Sequence, residues 1–188
     1  MKSKSMTITE SVFKQNQLVS LVQDTPPIHI KQRQGRGGKQ FRYVTGSYVQ
    51  KILNQVFGWM WSFEVKSHGQ SPSGQSIWAL GTLTILNPET HQPMIIKEQF
   101  GSSEYKFETT YNEKNIKVKS DKEVDYADDL KAASTDALKK CSSLLGIAAD
   151  VYADEDTANE ITERAAQVRQ VLIENKKKQE AALKKGLK

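Results

Sequence analysis

The chain of 188 residues has one cysteine, Cys141. One thiol cannot form an internal disulfide, so a disulfide-stapled scaffold is excluded. The three histidines, His29, His68 and His91, lie far apart in sequence and none has metal-ligand spacing, which argues against structural zinc. No apolar run approaches the length of a membrane span. The opening stretch, MKSKSMTITES, has two lysines but neither an apolar run behind them nor any arginine. It reads as neither a secretory signal nor a mitochondrial leader. These absences predict an intracellular, cytoplasmic protein without membrane contact.

Hydrophobic residues make up 37% of the chain and the formal net charge is +5. That supports a real core with little to spare, and length fits one domain plus an appendage. A moderate basic excess favours a polyanionic partner without requiring one. No internal repeat is visible.

Residues 9–23 suit a short amphipathic helix opened by Thr9 and stopped by Pro26 and Pro27. Residues 28–34 read as extended, the glycine-rich run at 35–38 as a turn, and 39–45 as a returning strand, which together predict a β-hairpin. Ser47 is placed as the N-cap of a helix running to Phe57, with Gly58 as its stop. Period-two alternation through Trp59, Trp61, Phe63 and Val65 predicts a strand at 59–67. Further strands at 76–86 and 94–100, joined by turns at 71–74 and 87–93, complete an antiparallel meander. The polar, lysine- and glutamate-rich stretch 101–124 reads as a long loop, functional or unstructured. A helix at about 125–145 buries Tyr126, Leu130, Ala133, Ala137, Leu138, Cys141, Leu144 and Leu145 on one face and ends at Gly146. A second helical stretch, 158–184, has sparse apolar positions and a lysine-rich tail. The fold class is α+β. The expected organisation is an N-terminal helical segment (1–27), a central domain (28–150) and a charged C-terminal helix and tail (151–188).

Two segments could carry function. KQRQGRGGKQFR (31–42) holds Lys31, Arg33, Arg36, Lys39 and Arg42 with no acidic residue. Its glycines let backbone amides approach a phosphate and its cations supply charge. Phe41 and Tyr43 alternate with Arg42, and stacking beside cations suits a single strand. The same residues also fit a solvated hairpin whose aromatics face the core. A Walker A loop is rejected, because Gly38-Lys39 is followed by Gln40 and the upstream glycine spacing fails. On the helix, Lys131, Thr135, Lys139 and Ser143 recur every four residues with Lys140 beside them. That row can track a phosphate backbone or be an ordinary charged face. The carboxylates Asp125, Asp128 and Asp129 cluster, as do Asp150, Asp154, Glu155 and Asp156, and because Asp125 shares a helical face with Asp128 or Asp129 a magnesium site is conceivable there. Helix capping explains both clusters more cheaply. No catalytic pair of serine or cysteine with histidine is suggested, and Cys141 falls on the apolar face.

The stretch RQGRGGKQFRYVTGSYVQKILNQVFGWMWSFEV (33–65) resembles the first half of the annealing domain of the Rad-fifty-two superfamily. Shared elements are an arginine, a glycine-rich turn, a Tyr-aliphatic-x-Gly strand end, a helix ending in Phe-Gly and an aromatic strand. FGSSE (100–104) is similar to that family's last meander strand. DDLKAASTDALKKCSSLLG (128–146) is similar to its later helix, with a Thr-Asp-x-Leu-basic-basic core and a terminal glycine. The resemblance spans roughly 28–150 with gaps. It implies a single-strand annealing protein of phage or bacterial type: a homo-oligomeric ring with a basic groove where helix meets hairpin. Position by position, it assigns DNA contact to Arg33, Tyr43, Lys131, Thr135, Lys139 and Lys140. Arg36 and Lys39 are added because Ser143 stands where the family often has a third basic residue. The implied activity is annealing in recombination and double-strand-break repair, without ATP, cofactor, metal or catalytic residues. Its partners are single-stranded DNA, further copies of the chain, and a phage or host recombination or single-strand-binding protein. The alternatives are an interaction or structural module whose basic hairpin is a subunit interface, and a metal-dependent nuclease built on Asp125, Asp128 or Asp129.

Overall fold

A computed structural model describes residues 15–34, 38, 40–152 and helical positions scattered between 163 and 177. It is α+β, and the chain divides into two compact units, residues 1–56 with 145–188, and residues 57–144. The expected N-cap at Thr9, the basic residues Arg36 and Lys39, and the lysine-rich tail lie outside the described residues.

In the first unit, helix α1 (Gln15–Val22) is followed by a 3-10 turn at Pro27–His29. Strands β1 (Lys31–Gln34) and β2 (Gln40–Tyr43) then form the expected antiparallel hairpin. Helix α2 (Gly46–Phe57) follows. Its N-cap is Thr45, whose hydroxyl accepts from the Tyr48 amide at 3.2 Å. The expected cap, Ser47, instead shares a hydroxyl–hydroxyl hydrogen bond with Thr45. Tyr48, Val49, Ile52, Leu53 and Val56 are the buried stripe of α2. The Gln17 side-chain amide on α1 donates to the Val56 carbonyl at 2.8 Å, satisfying one of the helix's last free acceptors.

Helix α4 (Ala149–Tyr152) closes this unit from the far end of the sequence. Asp150, expected as part of a capping cluster, instead accepts from the Thr25 amide at 3.0 Å and the Thr25 hydroxyl at 2.7 Å. The Tyr152 hydroxyl accepts from the amide of buried Val44. Burial raises the Tyr48 hydroxyl above its ordinary pKa, the Thr25 hydrogen bond opposes this, and the charge of Asp150 adds to it.

The second unit is built on β3 (Trp61–Gln70), β4 (Ser76–Leu86) and β5 (Pro93–Glu104). They form the antiparallel meander, with β4 in the centre. The first strand begins at Trp61 rather than at residue 59. Gly58 has φ +62° and the Met60 amide bonds back to the Phe57 carbonyl. The chain is therefore still turning at Trp59, which is exposed. On β4, Ile77, Ala79, Gly81, Leu83 and Ile85 are all buried, as the central strand of a covered sheet requires. Helix α3 (Tyr126–Ser143) packs on β4 and β5.

Small residues make that packing close. Ala133, Ala137 and Cys141 recur every four positions on α3 and are fully buried. A β-carbon at Gly101 would collide with the α3 backbone at Ala133 and Ala137, and one at Gly81 would strike Phe63 and Ala137. The Cys141 thiol contacts the Gly81 carbonyl at 3.4 Å, and burial raises its pKa. Cys141 is core.

The stretch expected to be a loop is folded. β5 runs on to Glu104, and β6 (Phe107–Tyr111) pairs antiparallel with β7 (Lys117–Glu123). Its turn is set by Asn112, whose side-chain oxygen accepts from the amides of Lys114 at 3.0 Å and Ile116 at 2.9 Å.

Gly101→Ala should destabilise the protein by about 3 kcal/mol, because backbone on both sides leaves a methyl group no room. Urea unfolding followed by circular dichroism reads this, and a shift under about 0.5 kcal/mol would contradict the close packing.

Candidate nucleic-acid interface

A strand sends alternate side chains to opposite faces, whereas directly opposed residues of two paired strands share a face. In the first hairpin Lys31 lies opposite Tyr43 and Arg33 opposite Phe41. Along one strand, aromatic and basic residues therefore alternate between faces. Across the hairpin, each aromatic is matched with a cation on its own face. The other face holds Gln32, Gln34, Gln40 and Arg42. All four residues of β1 are exposed, Phe41 is 48% exposed and Tyr43 is half-buried. The aromatics thus do not both turn into the core, and Phe41 with Arg33 makes an open surface. Gly38, between the two strands, has φ +76°, a conformation that favours glycine.

The second basic group lies on α3. Asp125 caps the helix by accepting from the Ala127 amide at 2.8 Å. Asp128 and Asp129 follow in the first turn, where the helix dipole favours negative charge. Asp129 is fully buried. One carboxylate oxygen accepts from the Lys106 amide at 2.9 Å, and the Lys106 ammonium meets the other at 3.2 Å. The carboxylate fixes the junction between β5 and β6 to the start of α3.

Further along α3, Lys131 and Lys140 are exposed. Lys139 is more covered, its side chain only 15% exposed. Asp136 pairs with both later lysines, at 3.4 Å to Lys139 and 3.1 Å to Lys140. It also accepts from the Ser102 amide of β5 at 3.2 Å. The lysine row therefore carries less net charge than its sequence suggests, and it is braced against the sheet. Thr135 donates its hydroxyl back to the Lys131 carbonyl and Ser143 to the Lys140 carbonyl. Both hydroxyl protons are thus taken up within the helix.

Of the expected contact residues, Lys131, Thr135, Lys139 and Lys140 share α3 in the second unit. Arg33 and Tyr43 belong to the hairpin of the first. Lys31 and Phe41 belong to the candidate segment 31–42 but not to the contacts that the resemblance assigns, and the hairpin register pairs them with Tyr43 and Arg33. Sequence reasoning missed Asp136, although an acid three and four residues before two lysines is a readable helix pattern. The carboxylates of the nuclease reading are divided among a cap, a buried ion pair and an exposed first-turn position. Among the described residues no group of three or more histidine, cysteine, aspartate or glutamate side chains could hold a metal. Among them, too, no helix is long and apolar enough to cross a membrane.

The family model described as Rad52/22 family double-strand break repair protein matches residues 14–171. The chain belongs to the Rad52/22 family. A search of curated proteins returns no match. The matched span takes in both basic elements, the meander between them, and α4. In this Rad52/22 protein α3 is held by the Asp129 anchor, the Asp136 brace and the glycine contacts along the sheet, among other ties.

Replacing Asp129 with alanine should cost about 3 kcal/mol. It leaves the Lys106 amide without its acceptor and removes a charged partner from a buried position. Asp129→Asn, which can still accept from that amide, should lose less. Denaturant midpoints for the two variants decide this, and equal losses would contradict it.

Proposed function

We propose that this Rad52/22 protein binds single-stranded DNA without sequence preference and anneals complementary strands as a homo-oligomeric ring, using neither ATP nor metal. The observation that carries the reading is the exposed β1–β2 hairpin. Its register pairs Arg33 with Phe41 and Lys31 with Tyr43, in a chain of a double-strand break repair family.

Single strands offer two features that a duplex hides or shares differently: unstacked base faces and a flexible phosphate backbone. An open aromatic accepts a base whatever its identity, because every base has a π-face. A cation beside it neutralises the adjoining phosphate and releases condensed counterions, the main source of affinity. Arg33 and Lys31 serve the backbone, and Phe41 and Tyr43 the bases. Arg36 and Lys39, from the same sequence run, add charge. On α3, Lys131 and Lys140 contact phosphates, while Lys139 and Thr135 act from more constrained positions. Asp136 fixes the lysines in place at some cost in net charge. Annealing follows when a bound strand presents its base edges and a second strand samples registers until complementary bases pair. None of these steps breaks a covalent bond.

Two complementary labelled oligonucleotides, mixed with the full-length protein without nucleotide or divalent cation, test the reading directly. Duplex formation should accelerate for the complementary pair and not for a mismatched pair. Binding without acceleration would reduce the protein to a strand coat, and absence of binding would overturn the reading. Arg33→Ala should weaken binding several-fold and leave the oligomer's size unchanged. If it instead disrupts the oligomer and spares binding by the remainder, the hairpin is a subunit contact.

Salt supplies an independent measurement. Log affinity should fall linearly with log salt concentration, and Arg33→Ala should make the slope shallower by about 0.7, the value for one single-strand phosphate contact. An affinity flat between low and moderate salt would contradict phosphate contact.

A further inference from the structure

We propose that helix α4 is a clasp that sets the β1–β2 hairpin in its binding position, with Asp150 and Tyr152 as positioning residues that act through Thr25 and Val44. This rests on the reading of that hairpin as a strand-binding element and adds to it the residues that hold the element ready. All the groups concerned belong to the first unit. The hairpin buries little of its own. β1 is exposed at all four residues and β2 at three of its four. A two-stranded ribbon of this kind is marginal by itself in water. Its placement therefore depends on how its two legs are fastened at the base.

Helix α4 lies against β2 and fastens both legs. Val44 directly follows β2, and its amide donates to the Tyr152 hydroxyl at 3.3 Å. Val44 is fully buried, so without that hydroxyl its amide has no water to turn to. Thr25 stands just before the 3-10 turn that leads into β1. Its amide and hydroxyl both donate to the Asp150 carboxylate, at 3.0 and 2.7 Å. Thr25 is buried as well, and hydrogen bonds to a carboxylate are stronger than those between neutral groups. Asp150 and Tyr152 share a single turn of helix. One short element thus grips the ribbon where it starts and where it ends. From α2, the Tyr48 ring lies against His29 of the 3-10 turn, with centroids 4.6 Å apart.

The consequence is pre-organisation. A ribbon free to swing about its base must be ordered when DNA binds, and that loss of freedom lowers affinity. A ribbon clasped at both legs has lost it already on folding. Arg33 and Phe41, which stand opposite each other on one face, then meet a strand together rather than one at a time. A residue that merely stabilised the unit would act on all of it, whereas a clasp acts on the hairpin.

Hydrogen exchange read by mass spectrometry and oligonucleotide binding read by anisotropy test this together on the full-length chain. In Tyr152→Phe, and separately in Asp150→Ala, amide exchange should quicken in peptides covering 31–44 and stay unchanged in those covering 50–57 and β4. Affinity for a fluorescein-labelled single strand should fall about fivefold. Asp150→Asn should keep exchange and affinity near wild type, because its carboxamide can accept from the Thr25 amide and donate to the Thr25 hydroxyl. Added to Arg33→Ala with Phe41→Ala, the clasp variants should weaken binding no further, since the hairpin they position no longer contributes. Exchange that quickens equally in all three regions, or an affinity loss of the same size in the Arg33→Ala, Phe41→Ala background, would make the two residues merely structural and overturn the proposal. Quickened hairpin exchange with wild-type affinity, while Arg33→Ala is impaired, would overturn it alone and leave the strand-binding reading standing. If the wild-type chain binds no oligonucleotide, the strand-binding reading falls and takes the proposal with it.

Discussion

The close approach of helix α3 to the meander governs the second unit. Two glycines on the sheet and a run of small residues on the helix bring backbone almost against backbone. At that spacing neither element can rotate or slide without collision, since packed interiors have no slack. The lysines on the outer side of α3 inherit this rigidity. Asp136 adds to it by binding the sheet and two lysines at once. The brace reduces net charge, yet a strand-binding surface gains when its cations are already in position, because less side-chain freedom is lost on contact. Across the outer face of the sheet, Lys66 and Thr82 both reach Glu98. Lys66 holds the Glu98 carboxyl below its ordinary pKa and is itself raised by Glu98.

Much of the fold was legible where periodicity was clean. The β4 alternation, the apolar face of α3 and the glycine-rich turn of the first hairpin each point to one structure. The segment 105–124 was not legible, because the sequences of its strands, FETTY and KVKSDKE, show no apolar alternation. Its order comes from Asn112, which accepts from amides two and four residues on, and from the Asp129–Lys106 pair at the base, which joins residues far apart in sequence. Asp150 likewise read as a capping residue, since its partner Thr25 lies 125 positions away. Thr45 and Ser47 are equally good caps by type, and only the geometry of the strand end chooses Thr45.

The candidate site was legible in composition but not in arrangement. Sequence shows the basic residues of the first hairpin and the row on α3. It cannot show that hairpin register brings cations and aromatics onto one face, because that depends on which residues stand opposite one another. A shift of one residue would place Phe41 among glutamines.

The tie between Thr25 and Asp150 has a consequence for how the chain is made. The second unit is one uninterrupted segment, residues 57–144, whereas the first is assembled from sequence on both sides of it. During synthesis the meander and α3 can pack as soon as they leave the ribosome. The Thr25 and Val44 contacts can form only once Asp150 and Tyr152 have emerged. The ties that join the two stretches of the first unit, at Asp150 and Tyr152, therefore form after the whole second unit has been synthesised.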